Sequence, residues 1–408
     1  MKTIQVPRRF VSSDWGGTET VVFETSRALM GAGHDTQIFT SLALSKERQE
    51  SFDGVPIRRF PYCYPFFGLS EEDIDTLDRK GGNLLSLSLL WALLRESNVE
   101  LMHAHTGKRL GAVVRTAARM RGIPYVITLH GGQFDVPTEE AAQIIDPIRD
   151  RVEWGKPFGA LLGSRRVLDD AAAIVCVGLN EATAAQEQLP HQRVHFVPNG
   201  VDSVGFSAGD GPAFRALYRI PVERKLILCV GRIDYQKNQI GLVSAISTLV
   251  GQGHDLHLAL VGPVTIASYH DRLVRALDEA GMNDRVTVIP GLEPSDPMLV
   301  NAYHASDVFC LPSLHEPFGI VVLEAWAAGR AVVAADVGGL SSFTVDGENA
   351  VHVDPQDPHS VVQGLRVVLE DPALAARIAH NGQATAKSQF DWSQIAQQML
   401  EIYEDVAA

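Results

Sequence analysis

The chain has 408 residues, of which 46% are hydrophobic, 21% charged and 7% aromatic, a composition typical of globular proteins rather than disordered or disulfide-stapled ones. The formal net charge of −14 argues against a nucleic-acid partner, because neutralising phosphates requires clustered cations. No basic leader and no apolar run of about 18 residues is visible, so we expect a cytoplasmic protein, at most peripheral at the inner face of the membrane.

Short apolar runs alternate with helical patterns along the whole chain, which is typical of parallel sheets covered by helices. The first series of predicted strands lies at 3–6, 36–39, 99–105, 124–130, 172–177 and 193–198. A second series lies at 226–231, 256–262, 286–291, 308–313, 331–336 and 350–354. Their nearly continuous Val, Ile and Leu predicts burial on both faces. We therefore predict an α/β protein of two Rossmann-like, doubly wound domains that face each other across a cleft.

The two domains are expected at residues 1–200 and 204–389, because the stretch around 198–210 is rich in Gly, Asp and Ser and lacks an apolar period. Residues 391–406 place apolar side chains at three- and four-residue intervals. This spacing predicts a final helix within 390–408 that returns its apolar stripe to the first domain.

A pair of glycines, Gly16 and Gly17, stands between the first predicted strand and a helical period. Such a pair lets backbone N–H groups approach an anion at a helix N-terminus, where the helix dipole favours negative charge. A plain tight turn is the alternative interpretation.

Two histidines, His103 and His105, lie two residues apart on a predicted strand and so share one face. They would suit a metal, but no third ligand is evident, and the four cysteines lack metal-ligand spacing. We predict no metal site.

Basic residues cluster on the predicted helix that begins near Lys108, where Arg109, Arg115, Arg119 and Arg121 follow with no acidic residue between them. A solvated helix face is one interpretation, and a surface for anionic lipid or a phosphorylated acceptor is the other. The aromatic stretch 58–68 is expected to be a loop or an edge strand because of its prolines. It would pack on its own domain or form a lip that contacts the acceptor or a membrane.

The predicted strand 226–231 leads into Gly231 and Arg232, with Lys237 five residues further on, at the start of the next helix. Arg offers a planar fork of donors and Lys a point charge, which together can neutralise a diphosphate. An ordinary basic turn is the alternative.

The stretch 312–329 holds two carboxylates eight residues apart, Glu316 and Glu324, around a helix that we expect to begin at Phe318 or Gly319. A helix N-terminus between the two carboxylates suits a phosphate, and carboxylates accept hydrogen bonds from vicinal hydroxyls. This combination is typical of sugar recognition.

Five features in order along the chain resemble the large family of retaining glycosyltransferases with the GT-B fold, which includes sucrose synthases and mycothiol glycosyltransferases. They are the Gly16-Gly17 pair, Thr128-Leu129-His130-Gly131, Pro198-Asn199-Gly200-Val201-Asp202, the Gly-Arg-x4-Lys loop and the Glu-x7-Glu run. Each feature alone is weak, but all five in register make chance similarity improbable.

The resemblance implies roles for these residues. Arg232 and Lys237 would hold the donor diphosphate, Glu324 the ribose hydroxyls and Glu316 the hydroxyls of the transferred sugar. His130 would contact the donor sugar near the reacting carbon. The implied donor-binding set also includes Gly16, Gly17, Gly231, Asn199, Phe318, Gly319 and Ile320.

The resemblance further implies that a hexosyl unit moves from a UDP- or GDP-sugar to an acceptor hydroxyl with retention, by same-face attack, without a protein nucleophile, a metal or another cofactor. The acceptor stays open between a lipid, a glycan and a small polyol or phosphate, and the oligomeric state is open too. Departures from the family pattern are Gly131, Asn238, Trp326 and Arg330, where relatives often have Asp, Gly, Met and Pro.

Two other classes of protein are compatible with a two-domain fold of this kind. A non-hydrolysing nucleotide-sugar epimerase would change the donor without an acceptor, and a catalytically silent protein would bind a nucleotide sugar without turnover. The complete Glu-x7-Glu arrangement and the intact charges at 232 and 237 favour the transferase.

Overall fold

The computed structural model describes residues 1–12, 15–131, 148, 151–292 and 296–408. These form two compact units, Met1–Pro198 together with Ile395–Ala408, and Asn199–Gln394. The sequence placed the corresponding boundaries at 200–204 and at 389–390. Each unit is an α/β layer structure built on one sheet.

The sheet of the first unit has eight strands: β1 (Lys2–Val6), β2 (Asp35–Ser41), β3 (Gln49–Phe52), β4 (Val55–Phe60), β5 (Leu101–Ala104), β6 (Tyr125–Leu129), β7 (Ala173–Cys176) and β8 (Val194–Phe196). The described helices of this unit are α1 (Gly17–Gly31), α2 (Glu71–Lys80), α3 (Leu87–Arg95), α4 (Lys108–Arg121), α5 (Lys156–Leu161) and α6 (Leu179–Gln188). The strand order is β3-β4-β2-β1-β5-β6-β7-β8, parallel except for the β3–β4 pair.

The second unit has a six-stranded parallel sheet: β9 (Lys225–Val230), β10 (Leu256–Val261), β11 (Val286–Ile289), β12 (Val308–Leu311), β13 (Ala331–Ala335) and β14 (Val351–Val353). Its described helices are α7 (Gly211–Leu217), α8 (Gln239–Gly251), α9 (Ala267–Ala280), α10 (Pro297–Ala305), α11 (Ile320–Ala327), α12 (Pro358–Glu370) and α13 (Pro372–Gln389). The order β11-β10-β9-β12-β13-β14 is that of the Rossmann fold.

The strand order creates one crevice in each sheet. In the second unit, β9 connects to β10 on one side of the sheet and β12 connects to β13 on the other side. The two connections therefore leave in opposite directions and open a crevice at the carboxyl ends of β9 and β12. The β1–β5 pair is the equivalent point in the first unit. Ligands of open α/β sheets bind at such switch points, beyond the carboxyl ends of the strands.

The final helix, α14 (Trp392–Ala407), joins the first unit from Ile395 onward. Its buried side chains include Ile395, Met399, Ile402 and Tyr403, which follow the three- and four-residue spacing seen in the sequence. Arg193 forms an ion pair of 2.6 Å with Asp405 at the far end of this helix.

Strands β3 and β4 correct the sequence analysis, which expected a loop or an edge from residue 58 onward. Arg58–Phe60 instead end β4, which pairs with β2 on one side and β3 on the other. The buried Arg59 guanidinium donates to the carbonyl of Phe10 at 2.7 Å and to the carboxylate of Glu50 at 2.5 Å. A charged residue is therefore tolerated inside the sheet because its donors find oxygen partners.

Trp326 on α11 illustrates how closely helices pack in the second unit. Its side chain is fully buried, and Nε1 donates to the carbonyl of Asn349 at 2.9 Å. A Cβ at Gly382 on α13 would lie 2.2 Å from Trp326 Cδ1. Gly382 is therefore required by the close approach of two helices.

We predict that Gly382→Ala lowers the free energy of unfolding by about 1–3 kcal/mol, because Trp326 has no room to move away from an added methyl group. The matched control is Gly251→Ala on α8, where an added Cβ meets nothing within 4 Å. Urea unfolding of both variants tests this, and equal stabilities would contradict the packing argument.

Candidate functional site

The loops after β9 and β12 form the candidate site of the second unit. The loop after β9 carries Gly231 to Lys237 and the loop after β12 carries residues 312–319. The backbone N–H of Leu314 donates to the carbonyl of Gln236 at 2.8 Å, which holds the two loops together. The Gly-Arg-x4-Lys loop and the first part of the Glu-x7-Glu run therefore lie together at the switch point of this sheet.

An ion pair between Lys237 Nζ and Glu316 Oε2 links these loops. Both side chains are buried, and Ser313 Oγ donates to the same carboxylate oxygen at 3.2 Å. At Gly231, a Cβ would lie 3.1 Å from Lys237 Cε, so this glycine makes room for the lysine side chain. A buried ion pair needs such additional partners to offset the loss of hydration.

Arg232 lies on the same loop but does not share the Glu316 contact. Its guanidinium lies 3.4 Å from the Asp234 carboxylate and donates to Gln236 Oε1 at 2.7 Å. Arg232 is about half exposed. It therefore adds a partly solvated cation next to the buried Lys237.

The N-terminus of α11 lies directly after this loop. Its N-cap is Gly319, which has a φ of 97° and no side chain to accept from the first helical N–H groups. Phe318 is buried before it, and Ile320 is the first helical residue. Backbone donors and the helix dipole at this end favour an anion.

Two glycines that the sequence analysis did not single out, Gly338 and Gly339, shape the loop from the other side. A Cβ at Gly338, whose φ is 55°, would lie 2.3 Å from the carbonyl oxygen of Glu316. The N–H of Gly339 donates to that carbonyl at 2.8 Å. Their position just after strand β13, at the same sheet edge, is the signal that would have identified them.

Glu324 lies on the second turn of α11, where its Oε2 accepts a hydrogen bond of 2.5 Å from the hydroxyl of Tyr303. Burial raises the pKa of Glu324 to about 7, and the hydrogen bond from Tyr303 opposes that shift. Tyr303 occupies one carboxylate oxygen, and among the described residues no partner takes the other, which is available to accept from a ligand. Asn199 of the same unit is also buried, with no partner for its Oδ1 among the described residues.

The first unit has its own cavity of about 460 Å³ beyond β1, β5 and β6. Its lining includes Arg8, Arg9, Arg79, Lys108, His105 and His130. Gly16 is the N-cap of α1 and Gly17 its first residue, and the next two residues, Thr18 and Glu19, line the cavity. The cavity therefore collects basic groups at the switch point of this sheet.

Arg8 is a half-buried cation that hydrogen-bonds to backbone carbonyls. Its Nη2 donates to the carbonyl of Asp78 at 2.5 Å, and its Nη1 to that of Leu77 at 3.4 Å. Among the described residues no carboxylate lies within ion-pair distance of Arg8. Burial is the main cause that lowers its pKa. A half-buried guanidinium whose bonds go to neutral carbonyls favours a nearby anion.

Lys108 lies beside Arg8 at the start of α4. This helix has Gly107 as its N-cap without a side-chain acceptor, and Lys108 has a φ of 55°. Burial and the charge of Arg8 lower the pKa of Lys108. Together, the two cations and the α4 N-terminus suit a phosphate group.

The other basic residues of α4 do not form a solvated face, and that interpretation is wrong for Arg109 and Arg115. Both are buried. Arg109 forms an ion pair with Glu153, and Arg115 Nε donates to Asp170 at 2.7 Å. Arg119 pairs with the same Asp170 at 2.7 Å. Lys108 is the residue of this cluster that reaches the cavity.

His130, at the end of β6, lines the first-unit cavity. Its Nε2 lies 3.0 Å from His105 Nδ1, and burial lowers the pKa of His130 to about 4. The neighbouring His103 has both ring nitrogens within hydrogen-bond distance of protein hydroxyls. In the part of the chain that the structure describes, no three metal-ligating side chains converge.

The aromatic stretch after β4 mostly packs on its own unit. The hydroxyls of Tyr62 and Tyr64 donate to Asp78 at 2.5 and 2.8 Å. Phe67 is 62% exposed, beside Trp154. None of the helices described here is long and apolar enough to span a membrane.

The structure thus places the predicted residues in two groups. Gly231, Arg232, Lys237, Glu316, Phe318, Gly319, Ile320, Glu324 and Asn199 belong to the second unit, and Gly16, Gly17 and His130 belong to the first. Each Rossmann-like unit thus carries charged side chains at its switch point, where open α/β sheets bind their ligands.

Comparisons with known proteins give the family. Residues 211–385 match the family described as glycosyl transferases group 1, and residues 16–200 match the glycosyl transferase 4-like domain. The chain is 31% identical to a D-inositol 3-phosphate glycosyltransferase of Xylanimonas cellulosilytica, over 96% of this chain and 92% of that protein. It is 29% identical to D-inositol 3-phosphate glycosyltransferase 1 of Catenulispora acidiphila, over 96% and 91%.

Solved structures agree in fold. Sucrose-phosphate synthase from Thermosynechococcus elongatus has a TM-score of 0.74 at 22% identity, over 100% of this chain and 99% of that one. Anabaena Alr3699/HepE, in complex with UDP and glucose, has a TM-score of 0.72 at 18% identity, over 99% and 100%. The chain belongs to the group 1 glycosyltransferase family and has the GT-B fold. The predicted fold class and the prediction of a glycosyltransferase are confirmed.

We predict that Glu324→Gln stabilises the protein most at high pH. The usual glutamate pKa is 4.5, whereas that of folded Glu324 is about 7. The folded state therefore holds this proton more tightly than the unfolded state, so ionising Glu324 costs stability as pH rises from 4.5 to 7. Gln removes this cost and still accepts from Tyr303.

Urea unfolding of wild type and Glu324→Gln at a series of pH values is the measurement, with the exposed Glu348→Gln as control. The stability difference should grow between pH 4.5 and 7 and then level off. A difference that does not change with pH would contradict the assignment.

Proposed function

We propose that this protein is a retaining glycosyltransferase that moves a hexosyl unit from a UDP- or GDP-sugar to a hydroxyl of a small phosphorylated polyol. The observation that carries the proposal is the Lys237–Glu316 ion pair beside the N-terminus of α11. This contact brings a cation, a carboxylate and backbone donors to one point, and a nucleotide sugar needs all three.

In this proposal the donor diphosphate lies against Lys237, Arg232 and the first N–H groups of α11. A bound diphosphate competes with Glu316 for the Lys237 ammonium. The carboxylate of Glu316 then becomes available to accept hydrogen bonds from the hydroxyls of the transferred sugar. The unoccupied oxygen of Glu324 accepts from the ribose, while Tyr303 holds the other.

The chemical step separates a sugar from its diphosphate, so negative charge develops on the leaving phosphate. Lys237 and Arg232 stabilise that charge from fixed positions, which is often the largest contribution to catalysis. We propose that the acceptor hydroxyl attacks from the same face and passes its proton to the leaving phosphate. This scheme uses no protein nucleophile, and the two cations take the place of a divalent metal.

The first-unit cavity supports the proposed acceptor class. In this proposal Arg8, held by backbone carbonyls, and Lys108, at the α4 N-terminus, bind one phosphate group. A cavity of about 460 Å³ is in the range of small-molecule sites. The curated relatives named above, called D-inositol 3-phosphate glycosyltransferases, support a phosphorylated cyclic polyol.

We predict that Lys237→Ala or Arg232→Ala lowers kcat/KM by roughly 100-fold or more, because each removes a preorganised charge at the leaving group. Lys225→Ala, which removes an exposed lysine of the same unit paired with Asp307, is the matched control. Release of nucleoside diphosphate measures the rate. Near-normal turnover of either variant would remove that residue from its role.

We predict a preference for D-inositol 3-phosphate over inositol that depends on Lys108. Lys108→Ala should lower the ratio of the two kcat/KM values by about tenfold, as expected for one charge-assisted contact to phosphate. Arg119→Ala, on the same helix but paired with Asp170, should leave that ratio unchanged.

Other outcomes separate the alternatives. Equal rates with both acceptors would contradict the phosphate site. A donor converted to its epimer without acceptor would identify an epimerase. Nucleotide binding without turnover on any acceptor would indicate a silent binding protein.

A further inference from the structure

A continuous chain of hydrogen bonds runs from His130 at the cavity into the buried interior of the first unit. His130 Nε2 lies 3.0 Å from His105 Nδ1, and His105 Nε2 lies 2.8 Å from Gln5 Oε1. Gln5 Nε2 in turn donates to the hydroxyl of Tyr403 at 3.2 Å. The chain thus crosses β6, β5 and β1 and ends on α14.

The amide of Gln5 gives this chain a direction. Its oxygen can only accept, so His105 Nε2 must carry the proton that it receives. Burial lowers the pKa of His105 well below its usual value, so the ring is neutral and has one N–H. His105 Nδ1 is therefore an acceptor, and the facing Nε2 of His130 must be the donor.

The hydrogen bonds on the other side of Gln5, through its Nε2, have a matching direction. Because the Tyr403 hydroxyl accepts from Gln5, its own proton is available for His103 Nδ1, 2.5 Å away. His103 Nε2 then carries a proton and donates to Thr128 Oγ1 at 2.7 Å. Gln5, His103 and Tyr403 are all fully buried. To reverse the bonds from His130 through His105, the Gln5 amide would have to turn over, which would also reverse its bond to Tyr403.

We propose that Gln5, acting through His105 and anchored by Tyr403, holds the His130 proton on Nε2, so that His130 presents Nδ1 as a pure acceptor to a substrate hydroxyl. Nδ1 has no hydrogen-bond partner among the residues that the structure describes, and His130 lines the cavity. Gln5, His105 and Tyr403 are then positioning residues, and the substrate contact itself rests on the proposed function.

This arrangement suits a group that orients a hydroxyl rather than one that removes its proton. Burial lowers the pKa of His130 to about 4, which makes its ring a weak base near neutral pH. An acceptor with a fixed tautomer still selects one orientation of a hydroxyl hydrogen. The network also gives a reason for a tyrosine in the last turns of α14.

The direct test is the tautomer of His130 in the wild-type protein. Nitrogen-15 NMR of histidine-labelled protein separates protonated from unprotonated ring nitrogens, and a His130→Gln variant identifies the signals of His130 among those of the 14 histidines. We expect a protonated Nε2 and an unprotonated Nδ1. A protonated Nδ1, or a mixture of both tautomers, would overturn the proposal. This measurement needs no substrate, so it is independent of the proposed function.

The second test is a variant remote from the cavity. Gln5→Met keeps the size of the side chain but removes the acceptor, so both tautomers of His130 should become populated and kcat should fall by about tenfold, the effect of roughly one hydrogen bond. KM for the donor should change by less than about twofold. Val126→Ala on β6 is the control for a loss of buried packing and should leave tautomer and kcat unchanged. An unchanged tautomer in Gln5→Met would refute the role of Gln5.

Discussion

The ion pair between Lys237 and Glu316 is the contact on which the second-unit site depends. It exists because the Rossmann strand order ends β9 and β12 side by side while their connections leave in opposite directions. Two buried opposite charges are stable there because Ser313 adds a further hydrogen bond, and Gly231 and Gly338 leave the space that Lys237 and the Glu316 backbone occupy. A buried ion pair adds little to the free energy of unfolding, because the loss of hydration offsets the attraction between the charges. We therefore infer that this pair is present for function rather than for stability.

The first unit also has a switch point between adjacent strands, but the cations there outnumber the carboxylates. Arg8 is half-buried against backbone carbonyls and Lys108 begins α4, so this switch point presents an excess of positive charge to its cavity. In the proposed function, an anionic donor and a phosphorylated acceptor each bind at a cationic site. The second unit offers Lys237 and Arg232 for the donor, and the first unit offers its basic cavity for the acceptor.

The sequence predicted the fold well because parallel strands buried on both faces leave a strong signal, and every strand with that pattern is present. It missed β3 and β4, because the prolines of 58–68 favour a loop or an edge and the oxygen partners that let Arg59 be buried in a sheet are visible only in the structure. Motif spacing found Lys237, Glu316 and Glu324, but not their partners Ser313 and Tyr303. Gly338 and Gly339 were also missed, because their role depends on a tertiary approach to Glu316. The chain of hydrogen bonds from Gln5 through His105 to His130 joins positions up to 125 residues apart in the sequence, and no local sequence pattern reveals it.

The most direct test of the account is the anomeric configuration of the product. Proton NMR would follow the incubation of this protein with α-linked UDP- and GDP-hexoses and D-inositol 3-phosphate. We predict release of nucleoside diphosphate together with an α-linked glycoside of the inositol phosphate. A β-linked product would contradict the same-face mechanism, and consumption of the donor without any glycoside would contradict the assignment of the transfer reaction itself.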